Sequence, residues 1–234
     1  MHSILKRLRR ALSHCFLPKV IRQVKTQHLT YLEEEALLDL YRTAQHLDAT
    51  AVPGVFVEAG CALGGSAIVI ATAKNTARQL FVYDVFGMIP PPSEQDDADV
   101  HTRYREISEG KSEGIAGDRY YGYEENLREK VASHFRRFEL EPDTTGIHLV
   151  QGLFQDTIQL DQPVALAHLD GDWYDSIMVC LRRIEPQLAL GGLLVIDDYE
   201  AWSGCRKAVD EYFRDKRDRY EFVRKSRLHI IRRH

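Results

Sequence analysis

The fold of this chain is decided by Ala165-Leu166-Ala167-His168-Leu169-Asp170-Gly171-Asp172, followed by Leu193-Leu194-Val195-Ile196-Asp197-Asp198-Tyr199. Each stretch is a short apolar run that stops at carboxylates, and a helical pattern from residue 176 to about residue 187 lies between them. This arrangement is typical of buried strands in a parallel sheet that are joined by a helix. Ligands of open α/β sheets bind at the carboxyl ends of the strands. We therefore expect two neighbouring strands whose aspartates face one crevice.

Four aspartates would share this crevice: Asp170, Asp172, Asp197 and Asp198. Carboxylates this close raise each other's pKa unless a cation neutralises them. Because Mg²⁺ prefers oxygen ligands, the cluster predicts a divalent metal site. The alternative is that the aspartates cap the helices that follow, as Asp often does. Capping would account for Asp172 but not for the adjacent pair, so we favour the metal site.

Length and composition set the broad class. With 234 residues and a formal net charge of −4, the chain fits one α/β domain with additions, and the charge argues against a nucleic-acid partner. The four cysteines (Cys15, Cys61, Cys180 and Cys205) lack metal-ligand spacing, which favours reduced thiols in a cytoplasmic protein. No apolar run approaches the roughly 18 residues of a membrane span. We divide the chain into a helical extension over residues 1–50 and a main domain over residues 51–234.

Residues 1–26 form a basic segment. They carry seven Lys or Arg and no acidic residue, and their apolar residues recur at helical spacing with an interruption at Pro18. Such a helix could make weak contact with an anionic membrane surface. It could also pack on its own domain or on a second subunit of a homodimer, and we favour packing.

A turn rich in small residues, Ala59–Ser66, follows a predicted strand over residues 55–58. Small residues let the backbone approach a ligand at a helix N-terminus. A dinucleotide fingerprint would require glycine at Ala62, and Glu58 would repel a pyrophosphate. A cationic ligand suits the turn better, and the turn resembles the first motif of class I methyltransferases that bind S-adenosylmethionine, which carries a sulfonium. The candidate contacts in this turn are Glu58, Gly60, Ala62, Gly64 and Ser66.

Further candidate ligand contacts close the next two strands. Asp84 ends the strand over residues 80–84, 24 residues after Gly60, where an acid can accept hydrogen bonds from ribose hydroxyls. Asp84 could instead cap the following segment. Gln151 ends the predicted strand over residues 147–151, and Gly152 follows it. Phe154 beyond them could pack on an adenine or simply on the core. We include Asp170 among the cofactor contacts as well.

The regular pattern lapses over residues 87–123, which we call the lid. It contains three consecutive prolines from Pro90 and the run Tyr120-Tyr121-Gly122-Tyr123. A loop this long within a compact domain is either functional or disordered. Aromatic side chains mixed with charges suit a cover over a polar, ring-shaped substrate, although a floppy insertion is the alternative. Beyond the lid, the pattern predicts a helix over about residues 124–138 and another over 207–213. Residues 220–223 and 228–231 predict a closing β-hairpin.

Several of these stretches together resemble one family, over roughly residues 30–215. The stretches are Phe56-Val57-Glu58-Ala59-Gly60 with Gly64-Gly65-Ser66, Tyr83-Asp84-Val85-Phe86-Gly87-Met88, Gly152-Leu153-Phe154-Gln155-Asp156-Thr157, His168-Leu169-Asp170-Gly171-Asp172-Trp173-Tyr174-Asp175-Ser176, and Gly191-Gly192 through Ile196-Asp197-Asp198-Tyr199. They are similar to the macrocin O-methyltransferase family, whose members methylate sugar hydroxyls with S-adenosylmethionine and Mg²⁺. The resemblance implies a Rossmann-like class I methyltransferase fold. Such a fold has a seven-stranded, mostly parallel sheet with the last strand antiparallel and helices on both faces.

The resemblance also implies a role for individual residues. Asp170, Asp197 and Asp198 would be metal ligands, and Asp172 would be the general base. Ser66 would hold the methionine carboxylate, and Asp84 would bind the ribose. The expected partner is a small hydroxylated molecule, either a sugar or a glycoside.

Three other functions compete with this interpretation. A catechol-type O-methyltransferase would use the same metal chemistry on an aromatic diol. A nicotinamide oxidoreductase is disfavoured by Ala62 and by the lack of a Tyr-Lys or His catalytic pair. A cofactor-binding protein without catalysis could act as a membrane-peripheral or assembly partner through its basic segment. The presence of all four carboxylates argues against an inactive site.

Overall fold

A computed structural model describes residues 17–234 and places one seven-stranded sheet at the centre of the chain. The strands are β1 (Val55–Ala59), β2 (Leu80–Asp84), β3 (Ile147–Gln151), β4 (Val164–Leu169), β5 (Leu188–Ile196), β6 (Tyr220–Arg224) and β7 (Leu228–Arg232). Their order across the sheet is β3-β2-β1-β4-β5-β7-β6. Strands β1 to β5 pair in parallel, and β7 is antiparallel to both β5 and β6. The predicted class I fold, with its last strand antiparallel, is confirmed.

Eight α-helices accompany the sheet within residues 17–234. They are α1 (Lys19–Thr26), α2 (Glu34–Ala49), α3 (Gly65–Ala73), α4 (Ala98–Ser108), α5 (Leu127–Arg136), the single turn α6 (Phe154–Thr157), α7 (Tyr174–Ile184) and α8 (Ser203–Tyr212). Short 3₁₀ turns occupy Ile115–Gly117, Tyr121–Tyr123, Glu185–Gln187 and Arg217–Arg219.

The sheet separates two apolar cores. Because strand side chains alternate between faces, Phe56 packs with α1, α2, α3 and α5, whereas its neighbour Val57 packs with α7 and α8. All five residues of β1 are buried, as expected for a central parallel strand covered on both faces.

Several helices differ from their predicted extent. The lid, predicted to be irregular, contains the helix α4, in which only Val100 and Ile107 are buried. Two buried positions seven residues apart give too weak an apolar stripe to be recognised in the sequence. Helix α8 begins at Ser203, four residues before the predicted start, because its first turn is defined by a contact from the lid.

The basic segment is described in part. Residues 19–26 form α1, which buries Val20, Ile21 and Val24 against the first core, and residues 1–16 lie outside the described residues. Membrane contact through this segment and a homodimer therefore stay predictions, as do the division at residue 50 and the cytoplasmic location. Within residues 17–234, no helix is both long and apolar enough to cross a membrane.

The topology brings the two decisive stretches together. Strands β4 and β5 are neighbours, with Leu169 beside Ile196. The backbone N–H of Asp197 donates to the carbonyl of Leu169 at 3.0 Å, and that of Asp170 donates to the carbonyl of Ala59 at 2.9 Å. The aspartates that follow the two strands therefore lie at the same carboxyl edge of the sheet, next to the turn after β1.

Candidate functional site

Three carboxylates form a compact acidic cluster at this edge. Asp170, Asp172 and Asp198 each place a carboxylate oxygen within 4.8 Å of those of the other two. The backbone N–H of Asp172 donates to Oδ2 of Asp198 at 3.3 Å, which ties the loop after β4 to the loop after β5. Asp172 has a φ of 53°, an unusual conformation for a residue other than glycine, and such residues concentrate at functional sites.

Asp197 lies beside this cluster and has different partners. Its Oδ1 accepts a hydrogen bond from Nε of Arg227 at 2.7 Å and lies 3.4 Å from Nε2 of His168. All four predicted aspartates therefore meet at one edge, but the tightest group contains Asp172 where the resemblance implies Asp197. The assignment of Asp170, Asp197 and Asp198 as metal ligands, with Asp172 as general base, stays a prediction.

The cluster is electrostatically unbalanced on its own. Burial and the neighbouring negative charges raise the pKa values of Asp170 and Asp198 well above their ordinary range. Burial, followed by the charge of Asp197, raises the pKa of Asp172 to about 7. Burial opposes ionisation of Asp197 too, but His168 and Arg227 prevail and lower its pKa. Three neighbouring carboxyl groups with raised pKa values are expected at a site that binds a cation.

The structure does not support the alternative prediction that these aspartates cap the helices that follow them. Within residues 17–234, neither α7 nor α8 is capped by the side chain at its own N-terminal boundary. Two lid carboxylates take that place: Asp96 accepts from the N–H of Tyr174 at 2.8 Å, and Asp99 accepts from that of Ser203 at 3.1 Å. The acidic stretch of the lid therefore fastens the lid to both helices that flank the cluster.

The acidic cluster borders two adjoining cavities, which we call lobes because they share part of their lining. One lobe has a volume of about 540 Å³ and the other about 490 Å³. The residues that line both lobes are Gly60, Asp84, Ile89, Tyr121, Asp170 and Asp172. Each lobe has the volume of a typical small-molecule site, so the two lobes can hold two molecules that meet at the acidic cluster.

The smaller lobe, which we call the donor lobe, combines one polar end with one apolar end. Asp84 is buried, and its two carboxylate oxygens accept backbone N–H groups of Cys61 at 2.8 Å and Phe86 at 2.7 Å. Asp84 also lines both lobes, where a carboxylate can accept hydrogen bonds from the hydroxyl groups of a ligand. At the other end, Phe154 and Met178 contribute apolar surface. This arrangement suits a ribose beside Asp84 and a flat base against Phe154.

Five predicted cofactor contacts are missing from the described lining of both lobes: Glu58, Gly64, Ser66, Gln151 and Gly152. Glu58 has no exposed surface, and the hydroxyl of Ser66 donates to its carboxylate beneath the turn. The Gln151 side chain donates to the carbonyl of Val85 at 3.3 Å. These residues support the turn and the adjoining strands, and their direct contact with a cofactor stays a prediction.

The larger lobe, which we call the acceptor lobe, is lined by side chains from distant parts of the chain. Its aromatic members are Tyr31, Tyr120, Tyr121, Trp173, Tyr199 and Trp202, and its charged members beyond the aspartates are Glu33, Glu200, Arg103 and Arg227. The tyrosine run in the lid was a sequence signal for this wall. Trp202 and Arg227 carry no local signal, because the pairing of β4 with β5 brings Trp202 to Asp172, and the pairing of β5 with β7 brings Arg227 to Asp197.

Comparisons with known proteins agree with this geometry. The family model described as macrocin-O-methyltransferase (TylF) matches residues 24–224. The 8-demethyl-8-(2,3-dimethoxy-alpha-L-rhamnosyl)-tetracenomycin-C 4'-O-methyltransferase of Streptomyces olivaceus is 34% identical over 170 residues, which are 70% of this chain and 59% of that protein. Demethyldecarbamoylnovobiocin O-methyltransferase of Streptomyces niveus is 30% identical over 173 residues, or 69% and 58% of the two chains. The chain thus spans about three fifths of the length of these curated relatives.

Among solved structures, the O-methyltransferase NovP superposes with a TM-score of 0.72 at 25% identity, covering 88% of this chain and 83% of that one. The family match spans most of the sheet, the lid and the acidic cluster. The chain therefore belongs to the macrocin O-methyltransferase (TylF) family.

Proposed function

We propose that this protein is an S-adenosylmethionine-dependent, divalent-metal-assisted O-methyltransferase that acts on a hydroxyl group of a sugar or glycosylated metabolite. One observation carries the proposal: the carboxylates of Asp170, Asp172 and Asp198 lie within 4.8 Å of one another, and Asp170 and Asp172 line both cavity lobes. A donor molecule in one lobe and an acceptor in the other would react beside these carboxylates.

The donor lobe fits S-adenosylmethionine. Asp84 lines the donor lobe as the acceptor for ribose hydroxyls, and Phe154 and Met178 offer apolar surface to the adenine. The acidic surroundings favour the positive charge of a sulfonium and disfavour the phosphates of a dinucleotide. When bound, S-adenosylmethionine supplies the methyl group, which leaves sulfur and forms a C–O bond with the acceptor.

The acidic cluster fits a divalent cation such as Mg²⁺. Asp170 and Asp198 belong both to the compact trio and to the ligand set that the resemblance implies, so they are the residues that would hold the ion. Burial and mutual repulsion raise their pKa values, and a bound cation would relieve that repulsion. When bound, a divalent cation lowers the pKa of a hydroxyl beside it and orients that hydroxyl.

Asp172 is the proposed general base. It lines both lobes, and its Oδ1 is held by the indole N–H of Trp202 at 3.0 Å. Asp172 would take the proton that the acceptor hydroxyl loses as its oxygen is methylated, a contribution of about 10²–10⁴-fold to the rate. The lid residues Ile89 and Tyr121 also line both lobes, where they would exclude water and keep the acceptor close to the methyl group.

The nature of the acceptor follows from the lining of its lobe and from the relatives. Aromatic rings alternating with charged groups suit the apolar faces and polar edges of a sugar. The names of the relatives refer to a rhamnosyl-bearing tetracenomycin, to novobiocin and to mycinamicin III. We extend glycoside methylation from those proteins to this chain.

Calorimetry tests the donor and metal sites separately. S-adenosylhomocysteine is titrated into the purified protein, and Mg²⁺ is then titrated into that complex. We expect Asp198→Asn to keep the nucleoside affinity and to lose the heat of Mg²⁺ binding, while the exposed Asp161→Asn behaves as the wild type. Absence of nucleoside binding to the wild type would overturn the proposed function.

The same assay assigns Asp172. If Asp172 acts only as a general base, Asp172→Asn keeps the metal affinity and loses methyl transfer. If Asp172 is also a metal ligand, the variant loses both. Incubation with methyl donor, Mg²⁺ and a panel of glycosides, free sugars and catechols then identifies the acceptor by mass spectrometry. Methylation confined to catechols would contradict the proposed substrate class, and full activity in the presence of a chelator would contradict the metal.

A further inference from the structure

A row of side chains in which carboxylates alternate with nitrogen-bearing groups lies beside the acidic cluster. His168 places Nδ1 3.2 Å from Oε2 of Glu58 and Nε2 3.4 Å from Oδ1 of Asp197. On the other side of Asp197, the guanidinium of Arg227 binds Oδ1 of Asp197 through Nε at 2.7 Å and Glu33 through Nη2 at 2.9 Å. The order across the row is therefore Glu58, His168, Asp197, Arg227, Glu33.

Both nitrogen partners of Asp197 meet the same oxygen. Among the described residues, the hydrogen bonds and ion pairs of its side chain all end on Oδ1, which leaves Oδ2 without such a partner. A carboxylate that is fixed through one oxygen has its second oxygen oriented in advance. Outer-shell groups of this kind commonly orient the carboxylates that bind a metal.

The position of Arg227 is itself well determined. Arg227 lies in the turn between β6 and β7 and also lines the acceptor lobe. The flanking residues are fastened to α2, because the hydroxyl of Ser226 donates to Oδ2 of Asp39 at 2.9 Å and Nε2 of His229 lies 3.1 Å from the same oxygen. Asp197 is thus braced by a part of the chain that supplies none of the four aspartates.

The positive charge of Arg227 is compensated by a second carboxylate, because Arg227 also pairs with Glu33. The net charge that this pair adds next to the acidic cluster is therefore small, and the remaining effect of Arg227 on a bound cation is geometric.

We propose that Arg227, together with His168, is a positioning residue that fixes Asp197 through Oδ1 so that Oδ2 is presented to the cation held by Asp170 and Asp198. The proposal rests on the proposed function, because it requires a metal in the acidic cluster. It assigns Asp197 to the metal through a residue of the β6–β7 turn, which the pattern of aspartates alone does not indicate.

The test measures metal binding rather than turnover. Mn²⁺ is titrated into protein saturated with S-adenosylhomocysteine, and free Mn²⁺ is read by electron paramagnetic resonance. We expect Arg227→Met to weaken Mn²⁺ binding by roughly 10–100-fold, the usual effect of losing an outer-shell partner. Arg233→Met is the matched control: Arg233 follows β7 and pairs with Glu221, and its loss should leave Mn²⁺ affinity within about twofold of the wild type.

A charge-neutral double variant separates geometry from charge. Glu33→Gln combined with Arg227→Met removes one negative and one positive charge, so a purely electrostatic role predicts wild-type affinity, whereas positioning predicts the same loss as Arg227→Met alone. Arg227→Lys keeps the charge and serves as the comparison if Arg227→Met fails to fold. Nucleoside affinity without metal should be equal in all variants.

The outcomes separate the two proposals. Mn²⁺ affinity that is unchanged or tighter in Arg227→Met, with normal binding by the wild type, would overturn the positioning role and leave the proposed function intact. A wild-type protein that binds S-adenosylhomocysteine but no Mn²⁺ would overturn the metal site, and the positioning role with it.

Discussion

The indole Nε1–H of Trp202 donates to Oδ1 of Asp172 at 3.0 Å, so a residue just before α8 holds the carboxylate that follows β4. Trp202 packs edge-to-face on Trp173, with ring centroids 5.7 Å apart, and Trp173 in turn donates Nε1–H to the carbonyl of Pro90 at 2.9 Å. The two tryptophans thus connect the proposed base to the lid.

This contact predicts the effect of Trp202→Phe. The ring is kept but the donor is lost, and a hydrogen bond to a charged group contributes about 1.5–3 kcal/mol. We expect kcat to fall by roughly 10-fold or more, because each 1.4 kcal/mol corresponds to about a factor of ten. The affinity for S-adenosylhomocysteine should stay unchanged, since Trp202 lines only the acceptor lobe. An unchanged kcat would show that Trp202 does not position Asp172.

Gly60 is a second point at which the structure makes a sharp prediction. Its φ is +87°, and a Cβ at this position would lie 1.8 Å from the carbonyl oxygen of Asp170. We expect Gly60→Ala to displace the end of β4 and to abolish S-adenosylhomocysteine binding. Gly117 is the matched control, because its φ is +82° and no atom lies within 4 Å of the position that a Cβ would take there.

Gly117→Ala introduces backbone strain but no steric clash. It should therefore lower the free energy of unfolding by about 1–2 kcal/mol and keep nucleoside binding. Thermal unfolding and calorimetry of both variants check this. Equal losses in the two variants would mean that backbone strain, rather than contact with Asp170, sets the effect.

The lid attachment predicts a local effect for Asp96→Ala. Asp96 is buried and accepts the N–H groups of Tyr174 at 2.8 Å and Ser93 at 2.9 Å. Loss of such a cap costs about 1 kcal/mol, so amide exchange in residues 93–97 should accelerate by roughly 5- to 10-fold. The acceptor KM should rise as well. The neighbouring Asp97→Ala serves as the control, because Asp97 is exposed and its side chain does not cap α4. Equal exchange rates in the two variants would contradict the proposed attachment.

The ionisation of Asp39 should contribute to the stability of the fold in a pH-dependent way. Burial alone would raise its pKa, but hydrogen bonds and charge from His229, with Ser226 and Lys225, lower the pKa from 3.8 to about 2. Above about pH 4 the carboxylate is ionised in both folded and unfolded chains, and its stabilising effect is complete. As the pH falls from about 4 to about 2, the unfolded chain takes up the proton first, so this stabilisation is lost.

The corresponding experiment compares urea unfolding of the wild type and Asp39→Asn. We expect the variant to be less stable at pH 7 by about 1 kcal/mol, because the uncharged amide cannot form an ion pair with Lys225 and is a weaker acceptor for Ser226 and His229. The difference should shrink progressively below about pH 4. The exposed Asp161→Asn supplies the control. A difference that stays constant down to pH 2 would show that the ionisation of Asp39 does not contribute.

Much of the fold could be predicted from local patterns. The runs that became β1 to β5 are short and apolar, and the closing hairpin is visible as two alternating stretches. The lid helix α4 was missed because it buries only Val100 and Ile107, and its position depends on contacts that Asp96 and Asp99 make with α7 and α8.

By itself, the sequence determined that two apolar strands end on aspartates, that a glycine turn follows the first strand and that an acid ends the second. These features depend on residues close together in the chain, where hydrophobic period and turn chemistry act. Tertiary structure alone decided which carboxylates meet in the tightest group, and that Trp202 holds Asp172 while Arg227 holds Asp197. Those partners are 30 residues apart in sequence, so only the order and register of β4, β5 and β7 bring them within hydrogen-bonding distance.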